Sequence, residues 1–280
     1  MSKKTVLLLL APSVLILLGF FVLPLIVVLN NSIMDETGSI TFHHYLQYFK
    51  DSHYLSITWK SIKISLLATF ITLLIGYFIA YFTTRYIKSK KLKRVAYIVI
   101  ISPLFTSAVV RSFGWMVILG NNGFINNTLL ALGIISEPIK LLYTETGIII
   151  GLVYILAPFM ILSITTVLEN IDSRLEEAAS DLGLGPFQTF LKVTLPLTVP
   201  GILAGSVMVF SLAISAYVTP AMLSGGKVQL IATVIYEQMM QVFNYQFGSA
   251  VAFAVLIFSF LIIGLNHYLL RSDWVEEGRR

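Results

Sequence analysis

The sequence predicts an all-α integral membrane protein with six transmembrane helices and both termini cytoplasmic. Three observations lead there. Hydrophobic residues make up 57% of the 280-residue chain and charged residues 12%, whereas a soluble domain carries about 25% charged residues to keep its surface wet. The apolar residues gather into six long runs, and the mean hydropathy is +0.86. Lys and Arg concentrate between alternate runs. This balance excludes disorder and soluble α/β enzymes. A β-barrel would show short alternating segments. The absence of cysteine excludes a disulfide framework, a thiolate metal site and a cysteine nucleophile.

A helix of roughly 20 residues crosses an apolar core of about 30 Å and satisfies its backbone hydrogen bonds internally. The runs are 6–29, 62–82, 95–119, 147–168, 199–223 and 250–270. The first follows Met1-Ser2-Lys3-Lys4, is too long for a signal-peptide core and precedes no Ala-x-Ala site, so it reads as an uncleaved anchor. Pro12 and Pro24 are tolerated there as kinks or near helix ends. In 31–57, Phe42, Tyr45, Leu46 and Phe49 form one face of a short amphipathic helix at the interface. The stretch 120–145 alternates polar turn residues with a short apolar helix that can dip into the bundle. The expected organisation is an anchor with an extracytoplasmic amphipathic segment (1–57), a five-helix core with a cytoplasmic loop at 169–198 (58–270), and a cytoplasmic tail (271–280).

Orientation follows from the basic residues of the short loops. Thirteen of the nineteen lie on one side, at Lys3 and Lys4, Arg85 to Arg94, Arg174, Lys192, Arg271, Arg279 and Arg280. That side is cytoplasmic. The formal charge of +5 is therefore topological, and no nucleic-acid partner is needed to account for it.

The longest cytoplasmic loop breaks this pattern, with five acids against two bases. Ser173 and Glu176 have capping-box spacing and start a helix that Gly183 ends. Gly185 is a second flexible point, and Pro186 suits the first position of another helix, which stops near Pro196. Two short helices joined by small residues make a docking knob. Ala178 and Ala179 permit close approach, and Glu177 can pair with a partner's Arg or Lys.

This loop resembles the EAA motif of ATP-binding-cassette importer permeases, E-A-A-x-x-x-G-x(9)-I-x-L-P. Here it stands as Glu177-Ala178-Ala179, Gly183, Val193, Leu195 and Pro196, with Val193 in place of isoleucine. The chain looks closest to the spermidine/putrescine permease family through GYFIAY, VVRSFGW with NNGFIN, GLVYILAPFMIL and AYVTPAMLSGG. It departs from that family at Ala216, where many members carry aspartate, and at Phe78, commonly proline. The resemblance implies a type I importer bundle in a prokaryotic inner membrane. It also implies an ATPase dimer docked on Glu176, Glu177, Ala178, Ala179, Gly183, Leu195 and Pro196. A second permease subunit, identical or related, and an extracytoplasmic solute-binding protein are the other implied partners. No Walker-type phosphate loop is present, since Gly225-Gly226-Lys227 lacks the spaced glycine and precedes Val228. ATP and Mg are thus expected on a separate ATPase, with no cofactor in this chain and no enzyme activity of its own.

Arg111 is the one full charge well inside a predicted span, and an intramembrane ion marks a functional position. Glu145 and Glu237 are its expected partners, in a structural or gating pair. Trp115, Tyr154 and Tyr217 can line a cation path, with Thr219 and Pro220 following. Adjacent His43 and His44 diverge by about 100° on a helix and have no third ligand, so no metal site is expected. Gly147-x-x-x-Gly151 and Gly201-x-x-x-Gly205 allow close helix packing, favoured within the chain over a dimer seam. The alternative reading, an ion-coupled secondary transporter, needs acids inside its spans, and the six runs contain none.

Overall fold

A computed structural model of the chain describes residues 3–35 and 37–274, with side chains described for 9–35 and 37–264. The expectations for Lys3, Lys4, Arg271 and the tail fall outside the described side chains or residues. Fourteen α-helices follow in order among the described residues: α1 Lys3–Leu17, α2 Leu23–Ile33, α3 His43–Lys50, α4 Ser52–Tyr81, α5 Lys90–Ile101, α6 Ala108–Leu119, α7 Phe124–Ala131, α8 Glu145–Asn170, α9 Arg174–Asp181, α10 Pro186–Thr189, α11 Leu195–Ile214, α12 Val218–Ser224, α13 Ile231–Tyr236 and α14 Tyr245–Trp274. The one β-type contact among them is an isolated antiparallel bridge between Met34 and Ile40.

Among the described residues five rods are long and apolar enough to span a membrane: Leu9–Ile33, Ser52–Tyr86, Glu145–Asn170, Pro186–Ile214 and Tyr245–Gly264. The third sequence run is not the straight helix expected of it. Lys90–Phe105 and Ala108–Ala131 meet at 101°. Pro103 sits in a 3-10 turn, Ser102–Phe105, where its missing N–H and fixed φ are tolerated. Thr106 is then extended, and the Ser107 hydroxyl accepts from the Val109 N–H at 3.3 Å to start α6 afresh.

The fifth run is likewise displaced. Its helix begins at Pro186, runs through Pro196 and ends at Ile214, so the expected stop near Pro196 does not occur. A widened π turn at Phe190–Thr194 explains this: the Leu195 N–H reaches back to the Phe190 carbonyl, which relaxes the turn that the proline ring would otherwise clash with. The same device, Leu18–Val22, precedes Pro24 and joins α1 to α2. Residues 215–217 break the run, and Pro220 lies in the first turn of α12, where its lost donor costs nothing.

By contacts the chain divides into two compact units, Met1–Thr58 with Ile231–Phe258 and Trp59–Leu230 with Ser259–Arg280. In the first, α3 is anchored by Tyr48, fully buried, whose phenol shares a 2.6 Å hydrogen bond with Thr58. Burial pushes that phenol above its usual range, against the hydrogen bond. Tyr45 donates to Ser32 at 2.8 Å, and Tyr54 packs on Phe247 at 5.0 Å. Phe42, Leu46 and Phe49 remain exposed, the distribution an interfacial helix requires.

The second unit has α8 at its centre. Ile148, Leu152, Met160, Ile164 and Leu168 are almost wholly buried, with Val209 and Ala213 of α11 and Leu223 of α12 in the same core. Three of the four paired glycines serve this packing, and Gly147 lies against the Leu141 carbonyl instead. A Cβ on Gly201 would stand 2.9 Å from Val167 Cγ2, one on Gly205 2.7 Å from Met160 Sδ, and one on Gly151 would strike Leu223. The close approaches are made inside the chain, as the sequence favoured.

Candidate functional site

The loop after α8 folds as an elbow of α9 and α10. Asp172 accepts the Arg174 N–H at 3.0 Å. The Ser173–Glu176 capping box does not form: Ser173 makes no side-chain cap. Glu176 is recruited elsewhere. Its Oε1 accepts from Arg85 Nε at 3.1 Å and from the Thr194 hydroxyl at 2.8 Å, and Arg85 Nη2 donates to the Ile171 carbonyl at 3.4 Å. The two charged side chains are 15% and 19% exposed, so each charge-assisted bond contributes about 1.5–3 kcal/mol. One carboxylate thereby ties α9 to the end of the α4 rod and to the π turn before α11.

Gly183 ends α9 at φ +86°, with the Leu184 N–H bonded to the Ala179 carbonyl and the Gly183 N–H to Ser180. This is a Schellman stop, which a left-handed glycine adopts with least strain. Gly185 and Pro186 then open α10, as the sequence indicated. Phe190 inserts between Tyr77 and Tyr81 at 5.6 and 5.4 Å, edge to face, and Tyr77 shares a 2.9 Å hydrogen bond with Thr198. Glu177 and Ala178 face outward, whereas Ala179 is covered within the elbow itself. Leu182 is 85% and Phe187 71% exposed. The outer face therefore offers an acid, a small residue and two large apolar side chains, with Leu195 and Pro196 half-buried behind it.

Sequence reasoning missed Arg85, Tyr77, Tyr81, Thr194 and Thr198. The signal for Arg85 was its place at the end of a span beside an acid-rich loop; it had counted only towards topology.

The second predicted group lies where α6, α8 and α12 meet. Trp115 and Tyr154 are in edge-to-face contact at 5.3 Å. Ser112, fully buried, shares a 2.9 Å hydrogen bond with Thr219, and Thr219 and Pro220 are buried. Tyr217 stands at the start of α12. Arg111 does not pair with Glu145, which binds Lys60 and Lys63 at 3.9 and 4.0 Å; Glu237 belongs to the other compact unit. The Arg111 Nε and Nη1 atoms are buried without a hydrogen-bond partner. Among the described residues no group of three or more His, Cys, Asp or Glu side chains is placed to hold a metal.

Residues 72–272, which include both groups, match the family described as the binding-protein-dependent transport system inner membrane component. The chain belongs to this family. Relatives of the permease include the spermidine/putrescine transport system permease protein PotB of Haemophilus influenzae, 38% identical over 253 residues, 88% of this chain and 87% of that one. PotB of Escherichia coli is 35% identical over 207 residues, 74% of each chain. The permease also shares the fold of a chain in the bacterial alginate ABC transporter solved with an alginate pentasaccharide-bound periplasmic protein, with TM-score 0.80 and 19% identity over 96% of this chain and 94% of that one. A chain of the MetNI methionine ABC transporter superposes with TM-score 0.58 and 17% identity over 78% and 94%. The permease is thus a multi-pass inner-membrane component.

Proposed function

We propose that this permease forms half of the membrane pathway of an importer for polyamines or closely related small amino compounds, driven by a separate ATPase pair seated on the elbow. The observation that carries it is the elbow: an outward face of Glu177, Ala178, Leu182 and Phe187, held to two spans through Glu176. A loop fixed inside and bare outside is built to receive a partner. The bent α5–α6 pair counts as the sixth span, both termini are cytoplasmic, and the elbow lies on the same side. A second permease, identical or related, completes the pathway, and a solute-binding protein delivers substrate outside. ATP and Mg belong to the ATPase. The PotB relatives at 35–38% identity support the polyamine class.

The test is uptake of labelled putrescine and spermidine by cells carrying the permease with its neighbouring transport genes. Uptake is expected to vanish when the ATPase loses its catalytic site and to withstand ionophores; the reverse pattern overturns the reading.

Arg111 is assigned to the gate. Burying Nε and Nη1 of the half-buried Arg111 without acceptors costs about 1–3 kcal/mol, so Arg111→Met is expected to raise thermal stability while lowering uptake about tenfold or more. A variant that is both stabilised and fully active would reduce Arg111 to packing.

A further inference from the structure

Along α5 and the 3-10 turn that continues it, one stripe changes character. Lys90, Arg94, Ile98, Ile101 and Phe105 follow at intervals of 4, 4, 3 and 4 residues, the spacing that keeps side chains on one side of a helix. They line an open groove of about 550 Å³ along this one helical stretch, with Lys93 at its charged end. Lys93 is neutralised by Glu169 at 2.7 Å, and Tyr97 donates to the same carboxylate at 2.6 Å. Among the described residues no acid lies within ion-pair distance of Lys90 or Arg94, and both are exposed. At the other end Ile98 is 61% and Phe105 87% exposed.

We infer that this groove is a binding site for one anionic phospholipid, its headgroup phosphate on Lys90 and Arg94 and an acyl chain along Ile98, Ile101 and Phe105. Charge complementarity selects the lipid class: two unneutralised cations stand at one end of a stripe that is apolar at the other. Length agrees. The fifteen steps from Lys90 to Phe105, at about 1.5 Å each, span about 22 Å, which is one leaflet with its headgroups, about half of a 40–45 Å bilayer. Glu169 holds Lys93 and Tyr97 in place along one edge of the groove, leaving Lys90 and Arg94 as its free cations. Basic residues beside a membrane span attract anionic lipid in general; the groove adds a defined seat. This inference needs only that α5 lies at a membrane interface, and stands or falls apart from the substrate class.

The permease in its intact transporter assembly is reconstituted in phosphatidylcholine vesicles, and its association with spin-labelled phosphatidylglycerol is compared with that of spin-labelled phosphatidylcholine. A preference for the anionic lipid is expected, falling about fivefold for each cation removed in Lys90→Gln and Arg94→Gln. Lys88→Gln with Lys91→Gln removes equal charge beside the groove and is expected to leave most of the preference. Equal loss in the two double variants would mean diffuse surface attraction and overturn the site. Exclusion of the lipid from the assembly but not from the isolated permease would make the groove a subunit contact, and overturn it too. Leu or Asn at Ile98 supplies the independent check, since Ile98→Asn is expected to weaken lipid retention and Ile98→Leu to preserve it.

Discussion

Glu177→Lys is expected to abolish coupling between the permease and its ATPase while leaving the fold intact. Glu177 is exposed on α9, and its side chain has no hydrogen bond or ion pair among the described residues, so reversal removes no internal contact. At an interface the effect is of another order, because like charges brought together across a contact cost several kcal/mol. Every 1.4 kcal/mol is tenfold in affinity, so co-purification of the ATPase should fall by a hundredfold or more and substrate-stimulated ATP hydrolysis should fall with it. Glu177→Gln, which removes attraction without adding repulsion, should lose far less. Unchanged hydrolysis in the Glu177→Lys assembly, with the subunits still together, would take the docking role away from the elbow.

The second large effect is expected at the residue next to it. Glu176→Ala strands Arg85, 15% exposed, and deprives Thr194 of its acceptor. Breaking a buried pair on one side costs about 3–5 kcal/mol; the remaining exposure brings this to about 2–3. The damage should be local, read as faster hydrogen exchange through 172–194 than in α8. Arg85→Ala should do similar harm. The double variant should be less damaged than the sum, with a coupling of about 1–3 kcal/mol, because no unpaired charge is left behind. Strict additivity would mean that the pair does not hold the elbow. The two neighbouring acids thus separate cleanly: one acts on a partner, the other on the chain's own fold.

Much of this architecture was legible in the sequence. The runs at 62–82 and 147–168 fall within rods of the structure, and those at 6–29 and 250–270 within the helical stretches Lys3–Ile33 and Tyr245–Trp274, because lipid imposes a minimum apolar length that composition alone reveals. Gly183 and Gly185-Pro186 were readable as the hinge of the elbow, since backbone freedom and its loss are local properties. Two kinds of feature were not. Pro103 and Pro196 look alike in a sequence, yet one sits at a sharp bend and the other inside a continuous rod; the difference is a π turn placed before Pro196, which no residue pattern announces. Ser173 and Glu176 have capping-box spacing, but Arg85 and Thr194, 91 and 18 residues away from Glu176 in the chain, offered the carboxylate stronger bonds. Local rules fail where a distant partner outbids them. Arg111 shows the same limit in reverse: its expected acid at Glu145 was already held by Lys60 and Lys63.

The unbroken rod from Pro186 to Ile214 has a mechanical corollary. Pinned through Thr194, it behaves as a lever with unequal arms, about 12 Å from the fulcrum to Pro186 and about 30 Å to Ile214 at 1.5 Å per residue. A push of one ångström beneath Phe187 would therefore sweep the far tip through about 2.5 Å, enough to shift a side chain from one groove of a neighbouring helix towards the next.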